Sequence, residues 1–377
     1  MINIQNLSFW EKESFINDSD YLIVGSGIVG LSTAIYIKQR EKHKKVTILE
    51  RGYLPTGAST KNAGFSCIGS PSELLDDLRN TSAEQVFATV EKRWEGLLHL
   101  NQLLGEENIG YKALGSHELF TKKDLESYQK CLDQLDYLNH ELSRITGKSF
   151  VYRKADQICE DYGFKGFTHA ISHAAEGQID TGKMMRSLLR LALSLDIQIL
   201  NGVDVRVIQN RQLITNFGEI PFKKLAICTN GFARQFFPHE DVEPARAQVM
   251  VTSEIPGLKL KGIFHFDSGY YYFRNIGNRV LLGGGRNIDK EGECTTELLV
   301  TEKIQQHLHT LLKEQILPNT YFTIEHQWAG TMGVGSSKSP IIKAMNDHVF
   351  CGIRLGGMGV AIGSLVGKEL ADKILQS

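Results

Sequence analysis

Three glycines and one acidic residue near the start of the chain have the spacing of a dinucleotide site. Gly25, Gly27 and Gly30 follow the apolar run 21–24, and Glu50 lies twenty residues beyond Gly30. Glycines permit a tight turn and a close approach of the backbone to a pyrophosphate, whose charge is attracted by the first turn of the following helix. The carboxylate of Glu50 is placed to accept the two hydroxyls of an adenosine ribose, and it disfavours a 2′-phosphate, which argues against NADP.

A second glycine-rich turn lies near the other end of the chain. Gly356, Gly357 and Gly359 precede a helical pattern that begins near Val360. The positive end of that helix would face whatever binds at the glycines. A glycine-rich turn can serve a purely structural purpose, because it lets a terminal helix pack closely. Two such turns at opposite ends of one chain favour a binding role.

Between residues 245 and 286 the hydrophobic period changes to two, which predicts a separate antiparallel sheet. A wall of tyrosine and arginine on such a sheet suits a polar ligand, although the same residues are equally compatible with core packing and with arginines that reach solvent. Alternation groups the candidates by face, with Tyr270, Tyr272 and Arg274 on one strand and Arg246 and Gln248 on another.

The rest of the pattern predicts a parallel nucleotide-binding domain that is interrupted by an insertion. Leucines at helical spacing fill the insertion on both sides of a predicted strand, and later segments return to the nucleotide-binding domain. The predicted elements are helices over 72–104, 122–146 and 183–194, a strand over 115–121, a pair of strands over 197–207, a buried strand that starts at 224 and runs into a small-residue turn ending at 231, and a hairpin that pairs 270–274 with 279–283.

Composition narrows the function classes. With 377 residues, two domains are expected, and 42 basic against 43 acidic residues create no field for nucleic acid or an anionic membrane. Six cysteines without a CxxC pair, and histidines without ligand spacing, predict neither a metal site nor a disulfide framework, so a reducing cytoplasm is expected. The stretch 21–37 is too short and glycine-rich for a membrane span, and residues 1–19 lack the apolar core of a secretory signal.

The order of four motifs resembles the FAD-dependent D-amino-acid oxidase superfamily, which includes glycine oxidase, sarcosine oxidase and γ-glutamylputrescine oxidase. These motifs are Gly25 to Glu50, the loop 57–64, the segment 176–180 and the turn 356–367, so the resemblance spans nearly the whole chain. It implies an α/β protein in which a glutathione-reductase-like, FAD-binding Rossmann domain is interleaved with an antiparallel-sheet α+β substrate domain. The implied limits are 1–85, 155–243 and 326–377 for the FAD-binding domain, and 86–154 and 244–325 for the substrate domain.

The resemblance also implies which residues contact FAD. Binding is expected to be non-covalent, because no cysteine falls within 328–340, where sarcosine oxidase attaches its flavin. Carried over by motif, the implied FAD contacts are Gly25, Gly27, Ile28, Val29, Gly30, Glu50, Arg51, Ser59, Thr60, Lys61, Asn62, Ala63, Gly64, Val205, Thr229, Asn230, Gly231, Arg354, Gly356, Gly357, Met358, Gly359 and Val360.

The substrate side departs from the family pattern. Amino-acid-oxidising relatives often carry a carboxylate-binding arginine after a Trp-x-Gly-like segment, where this chain has Met332, so a simple α-amino acid is in doubt. Arg274 or Arg286 is an alternative clamp through two parallel hydrogen bonds. Arg274→Ala is therefore expected to raise the substrate KM and leave FAD bound. The expected substrate-binding residues are Arg246, Gln248, Tyr270, Arg286 and Trp328.

The implied reaction is oxidation of a carbon–nitrogen bond of a small amine or amino acid, by hydride transfer to flavin N5, to give an imine. Tyr272 and Arg274 are the leading catalytic candidates, and Lys61 or Lys338 would supply a positive charge that helps O2 accept electrons. Three alternatives stay open: a dehydrogenase with another acceptor, a non-catalytic flavin-binding redox module, and an NAD-linked oxidoreductase, which leaves the C-terminal turn unexplained. The sequence does not indicate an oligomeric state.

Overall fold

Two large β-sheets organise the part of the chain that the structure, a computed structural model, describes: residues 7–16 and 19–377. The expectation about a secretory signal in 1–19, and the start of the predicted domain 1–85, fall partly on 1–6 and 17–18, outside the described residues. No helix within the described ranges is both long and apolar enough to cross a membrane.

The strands, in chain order, are β1 Tyr21–Val24, β2 Val46–Glu50, β3 Phe65–Ser66, β4 Ser116–Thr121, β5 Tyr152–Lys154, β6 Phe167–His173, β7 Gly177–Gln178, β8 Gln198–Asn201, β9 Val205–Gln209, β10 Gln212–Thr215, β11 Glu219–Pro221, β12 Lys224–Ile227, β13 Glu243–Thr252, β14 Ile263–Phe266, β15 Tyr271–Ile276, β16 Arg279–Gly284, β17 Ile324–Val334, β18 Ile341–Ala344 and β19 Val349–Ile353.

The α-helices are α1 Phe9–Glu11, α2 Ile28–Arg40, α3 Ala58–Lys61, α4 Pro71–Asn80, α5 Ala83–Leu104, α6 Glu106–Ile109, α7 Leu125–Asp133, α8 Leu135–Thr146, α9 Gln157–Asp161, α10 Thr181–Ser194, α11 Glu302–Leu311 and α12 Gly359–Leu375. Single turns of other helix types occupy Lys12–Ile16, Lys122–Asp124, Asn230–Gln235, Arg286–Ile288 and Leu312–Ile316.

The first sheet has the order β18-β19-β12-β1-β2-β8 and is parallel except for β18. Its central strands are continuously apolar because both faces are covered. Helices α2 and α12 pack closely: a Cβ on Gly367 would lie 2.5 Å from the Cβ of Ser32. This is the Rossmann-like sheet expected from the sequence.

The second sheet has the order β17-β13-β16-β15-β14-β4-β6-β5, and its pairs are antiparallel except β14 with β4. The predicted strand at 115–121 and the predicted hairpin are confirmed as β4 and the β15–β16 pair. The fold class is therefore as expected. The aromatic core between β14, β15 and α11 includes Phe264 and Phe273, whose rings stack 4.8 Å apart.

Two strands lie in a different sheet from the one implied by the expected domain limits. β6 and β17 belong to the antiparallel sheet, although 155–243 and most of β17 were assigned to the FAD-binding domain. Helix α5, expected in the substrate domain, packs on α12, where Ser364 Oγ donates to the carbonyl of Gly96 at 3.1 Å. The chain crosses between the two sheets more often than the glycine motifs and the hydrophobic periodicity predict. The domain limits as a whole stay a prediction.

Candidate active site

A cavity of about 630 Å³ lies between the carboxyl ends of the parallel strands and one face of the antiparallel sheet. Open α/β sheets bind ligands at this edge. Most of the implied FAD contacts line the cavity: Gly25, Gly27, Ile28, Val29, Glu50, Arg51, Ser59, Lys61, Asn62, Ala63, Val205, Thr229, Asn230, Gly356, Gly357, Met358, Gly359 and Val360.

The first glycine turn leaves no space for side chains. Gly25 has φ +101°, and a Cβ there would lie 2.8 Å from the carbonyl oxygen of Cys228. A Cβ on Gly27 would lie 2.8 Å from Ser59 Oγ, which accepts a hydrogen bond from the backbone N–H of Ile28 at 2.9 Å. Gly30 does not line the cavity, since a Cβ there would meet the carbonyl of Gly25 at 1.9 Å. Its role is packing between turn and helix.

Glu50 forms the acidic end of the cavity. Its Oε2 accepts hydrogen bonds from the N–H of Ser26 at 3.0 Å and from its hydroxyl at 2.5 Å, and its Oε1 accepts from the N–H of Gly52 at 2.9 Å. These bonds fix a carboxylate that is only 7% exposed. Oε1, which accepts only one of these bonds, keeps lone-pair capacity for a ribose hydroxyl, which fits an adenosine nucleotide.

Two further observations fit a bound dinucleotide. The hydroxyls of Thr229 and Thr331 are buried in the cavity wall and have no hydrogen-bond partner among the described residues. Buried hydroxyls are normally satisfied, so both are available to a ligand. Arg51 also lines this end, with its guanidinium 4.5 Å from the ring centre of Phe232.

Four other implied FAD contacts frame the cavity without lining it. Thr60 Oγ1 donates to the carbonyl of Pro55 at 2.7 Å. Arg354 is held by Asp241 and by the carbonyl of Ser339, and so points away from the cavity. Gly64 and Gly231 instead allow close packing, because a Cβ would lie 2.5 Å from Ile179 O and 2.3 Å from Met332 O respectively. Arg354 and Gly231 therefore hold neighbouring residues in place and do not themselves line the cavity.

Tyr270, Tyr272 and Arg286 line the part of the cavity that faces the antiparallel sheet. The ring of Tyr272 lies over Gly283, where a Cβ would lie 2.4 Å from the ring. Burial raises the pKa of Tyr272 to about 12, so its hydroxyl stays protonated and can donate. No hydrogen bond to another described residue uses that hydroxyl.

Arg286 follows β16, and its guanidinium pairs with no residue that the structure describes. Its Nε is buried without a partner, and no carboxylate or carbonyl of the described chain bonds its side chain. An unpaired arginine in a cavity wall is available to bind an anion through two parallel hydrogen bonds. Of the two arginines expected to act as clamp, the structure brings this one to the cavity.

Arg274, expected beside Tyr272 in the site, does not line the cavity. The loop that ends at Gly64 covers it, and its Nη1 donates to the carbonyls of Ile179 at 2.8 Å and Gly64 at 3.3 Å. Burial lowers its pKa to about 10. Residues distant in sequence cover Arg274, so its side chain joins β15 to the residues beside the β3–β7 pair instead of entering the cavity.

Arg246 and Gln248 are also absent from the cavity wall. The intervening Ala247 and the next residue, Val249, line it instead, so alternation directs the two polar side chains to the opposite face of β13. There both contact Glu293. The expectation that they form a substrate roof is thus contradicted by their position. Trp328 also lies behind the wall, where its indole N–H donates to Lys61 O at 2.9 Å.

The two lysines differ. Lys338 Nζ lies 2.9 Å from a Glu73 oxygen and 2.7 Å from an Asp77 oxygen, so its charge is compensated. Lys61 also lines the cavity, and its ammonium forms no ion pair with any described residue.

Three further residues line the cavity, His265, Glu73 and Glu176, which the sequence analysis did not name as site residues. Burial alone would raise the pKa of Glu73, yet Arg93 and Lys338 lower it to about 2. Burial also opposes ionisation of Glu176, but His173, Ser116 and the N–H of Gly69 lower its pKa. His265 is the cross-strand partner of Tyr272, so alternation would have found it had β14 been predicted.

Comparison with known proteins adds independent findings. The chain is 27% identical over 248 residues to the bifunctional protein ThiO/ThiG of Synechocystis sp., which covers 62% of this chain and only 33% of that relative. It is 23% identical over 385 residues to the probable oxidoreductase OrdL of Rhizobium meliloti, and that alignment covers 95% of this chain and 83% of the relative. The crystal structure of glycine oxidase from Bacillus cereus shares its fold, with a TM-score of 0.75, 18% identity and 95% of each chain covered.

The model of the DAO family, described as FAD dependent oxidoreductase, matches residues 20–373. That match spans both glycine turns, the loop after Glu50 and the antiparallel sheet. It confirms the expected family and the expected FAD cofactor. The chain therefore belongs to the DAO family of FAD-dependent oxidoreductases.

Proposed function

We propose that this protein oxidises the carbon–nitrogen bond of an amino acid, or of an amine that carries a carboxylate, and that Arg286 binds this carboxylate. The proposal rests on the guanidinium of Arg286, which no described residue pairs, in the wall of the cavity that Tyr272 also lines. FAD, when bound, supplies a two-electron acceptor for the hydride of the substrate α-carbon.

The side chains have separate tasks. Arg286 binds the carboxylate, and the Tyr272 hydroxyl donates a further hydrogen bond, which together fix the orientation of the α-carbon. Phe65, whose ring lies 5.5 Å from that of Tyr272, and Val249 give this region an apolar lining that excludes water. Low polarity around the amine favours its neutral form, which is the form that can be oxidised.

We assign O2 as the electron acceptor, because Lys61 offers an uncompensated positive charge in the cavity. A cation there stabilises the negative charge that develops on oxygen as it is reduced. Lys338 is unsuited to that role, since Glu73 and Asp77 neutralise it. An acceptor other than O2 is the second candidate, and hydrogen peroxide formation under air distinguishes the two.

Non-covalent FAD is also part of the proposal. The cysteines that line the cavity are Cys67 and Cys228. Burial raises the thiol pKa of both, so neither is a ready nucleophile. Denaturation in acid should release all of the flavin into the supernatant.

The test is anaerobic mixing of the holoenzyme with amino acids, N-methyl amino acids and the matching amines without a carboxylate. Bleaching of the flavin band by carboxylate-bearing members alone is expected. Arg286→Met should weaken their binding about a hundredfold, the loss expected for about 2–3 kcal/mol of charge-assisted hydrogen bonds. Arg279→Met, on the same hairpin but paired with Glu325, is the matched control. Equal bleaching by amines without a carboxylate would contradict the proposal.

A further inference from the structure

A buried ionic cluster lies on the face of β13 that is turned away from the cavity. Arg246 Nε donates to Glu293 Oε2 at 2.9 Å, and its Nη2 donates to Glu293 Oε1 at 2.7 Å. Gln248 Nε2 donates to the same Oε1 at 2.9 Å. Arg246, Gln248 and Glu293 are 4%, 0% and 1% exposed. The contact is thus a bidentate ion pair with an additional amide donor, enclosed by protein.

The cluster fastens an irregular segment to the sheet. Beyond the turn Arg286–Ile288, residues 289–301 form neither helix nor strand. Arg246 also binds this segment through its backbone N–H, which donates to Glu293 O at 2.8 Å, and through Nη2, which donates to Gly292 O at 3.2 Å. Gln248 Oε1 accepts from the N–H of Thr301 at 2.9 Å. Two side chains of one strand therefore hold both ends of 292–301.

Arg286 lies just before this segment, and backbone hydrogen bonds fix the chain on both sides of it. On one side the N–H of Gly285 donates to Tyr270 O at 3.1 Å. On the other, the N–H of Asp289 donates to Arg286 O at 3.2 Å, and the N–H of Glu293 donates to Asp289 O at 3.0 Å. The bonds on this second side end at the ion pair, so the position of the Arg286 backbone depends on where Glu293 is held.

We propose that Glu293, Arg246 and Gln248 are positioning residues, which set the place of the Arg286 guanidinium in the cavity from behind the sheet. The proposal rests on the proposed function, because it concerns the carboxylate site of Arg286. A buried ion pair is poor evidence for stability, since apolar side chains of similar volume often stabilise as well or better. Its fixed bidentate geometry holds a segment in one register, which general apolar packing does not.

The test measures the affinity of the holoenzyme for acetate, a minimal carboxylate, from the change that acetate causes in the visible flavin spectrum. Glu293→Gln should weaken acetate binding about tenfold to a hundredfold, as expected for a misplaced binding group. The double variant Arg246→Met with Glu293→Leu keeps the volume without leaving a buried charge, so it folds even where the single variant does not. The same loss of acetate affinity is expected for it, with FAD content and Tm near those of the unmodified protein.

Two comparisons separate the possible failures. Arg286→Met should abolish the acetate response, and Arg279→Met should preserve it. If Arg286→Met binds acetate normally, both the proposed function and the positioning role are overturned. If Arg286→Met loses acetate but the double variant binds it normally, only the positioning role is overturned. A fall in Tm without a change in acetate affinity would assign the cluster a purely structural role and also overturn the inference.

Discussion

Lys61 is the residue whose charge bears most directly on the choice of electron acceptor. Lys61 lines the cavity and its ammonium has no ion-pair partner in the described chain, whereas Lys338 is paired twice. We expect Lys61→Met to slow reoxidation of the reduced enzyme by O2 about tenfold to a hundredfold, because a fixed charge is removed from the site of reaction. Stopped-flow mixing with oxygenated buffer measures this, with Lys338→Met as control. Equal rates for Lys61→Met and the unmodified protein would show that the charge of Lys61 takes no part in the reaction with O2.

Arg274 illustrates how position changes the expected effect of one substitution. In this structure Arg274→Ala leaves the carbonyl of Ile179 without this donor and leaves the carbonyl of Gly64 only the N–H of Ile179, at a cost of about 2 kcal/mol. Gly64 ends the loop at the flavin-binding region, so we expect a lower Tm and less bound FAD, with KM unchanged in the remaining holoenzyme. Absorbance and thermal unfolding measure both. A raised KM with full FAD content would restore the sequence-based expectation.

At the scale of elements, the sequence predicted what depends on local spacing. The glycine turns, the helix at 183–194 and the hairpin after Tyr270 follow from steric demands and periodicity within short windows. Strand β13 shows the limit of that approach. Both of its faces are buried, so alternation separates Arg246 and Gln248 from Ala247 and Val249 but does not show which pair faces the cavity. The orientation of β13 is set by contacts with Glu293 and with the loop 57–64, which are distant from β13 in sequence.

The contact between α2 and α12 leaves no room for added volume. A Cβ on Gly367 would lie 2.5 Å from Ser32 Cβ and 2.9 Å from Val29 O. We expect Gly367→Ala to destabilise the fold by about 1–3 kcal/mol through overpacking. Gly182→Ala is a matched helical control, since its Cβ meets Asp180 Oδ1 only at 3.3 Å, and alanine there favours the helix. Denaturant unfolding compares them, and equal midpoints would show that the helices separate at little cost.

At the scale of the whole molecule, the cofactor cavity lies between the two sheets, so FAD is expected to act as a structural bridge. Direct contacts across this junction include Arg274 with Gly64, Trp328 with Lys61, and the close approach of Gly231 to Met332. A ligand that binds only the folded state stabilises it by RT ln(1 + [L]/Kd), about 2.7 kcal/mol at a hundredfold excess over Kd.

Removal of FAD should therefore lower the Tm by several degrees, and added FAD should restore it in proportion to the logarithm of its concentration. NAD at equal concentration should restore little, because it can make the adenosine contacts expected at Glu50 but lacks the flavin ring expected to contact the turn at Gly356 and the wall at Tyr272. Thermal unfolding of the apoprotein with each nucleotide makes the comparison. If NAD and FAD stabilise equally, adenosine binding alone joins the two sheets, and the second glycine turn contributes nothing to cofactor affinity.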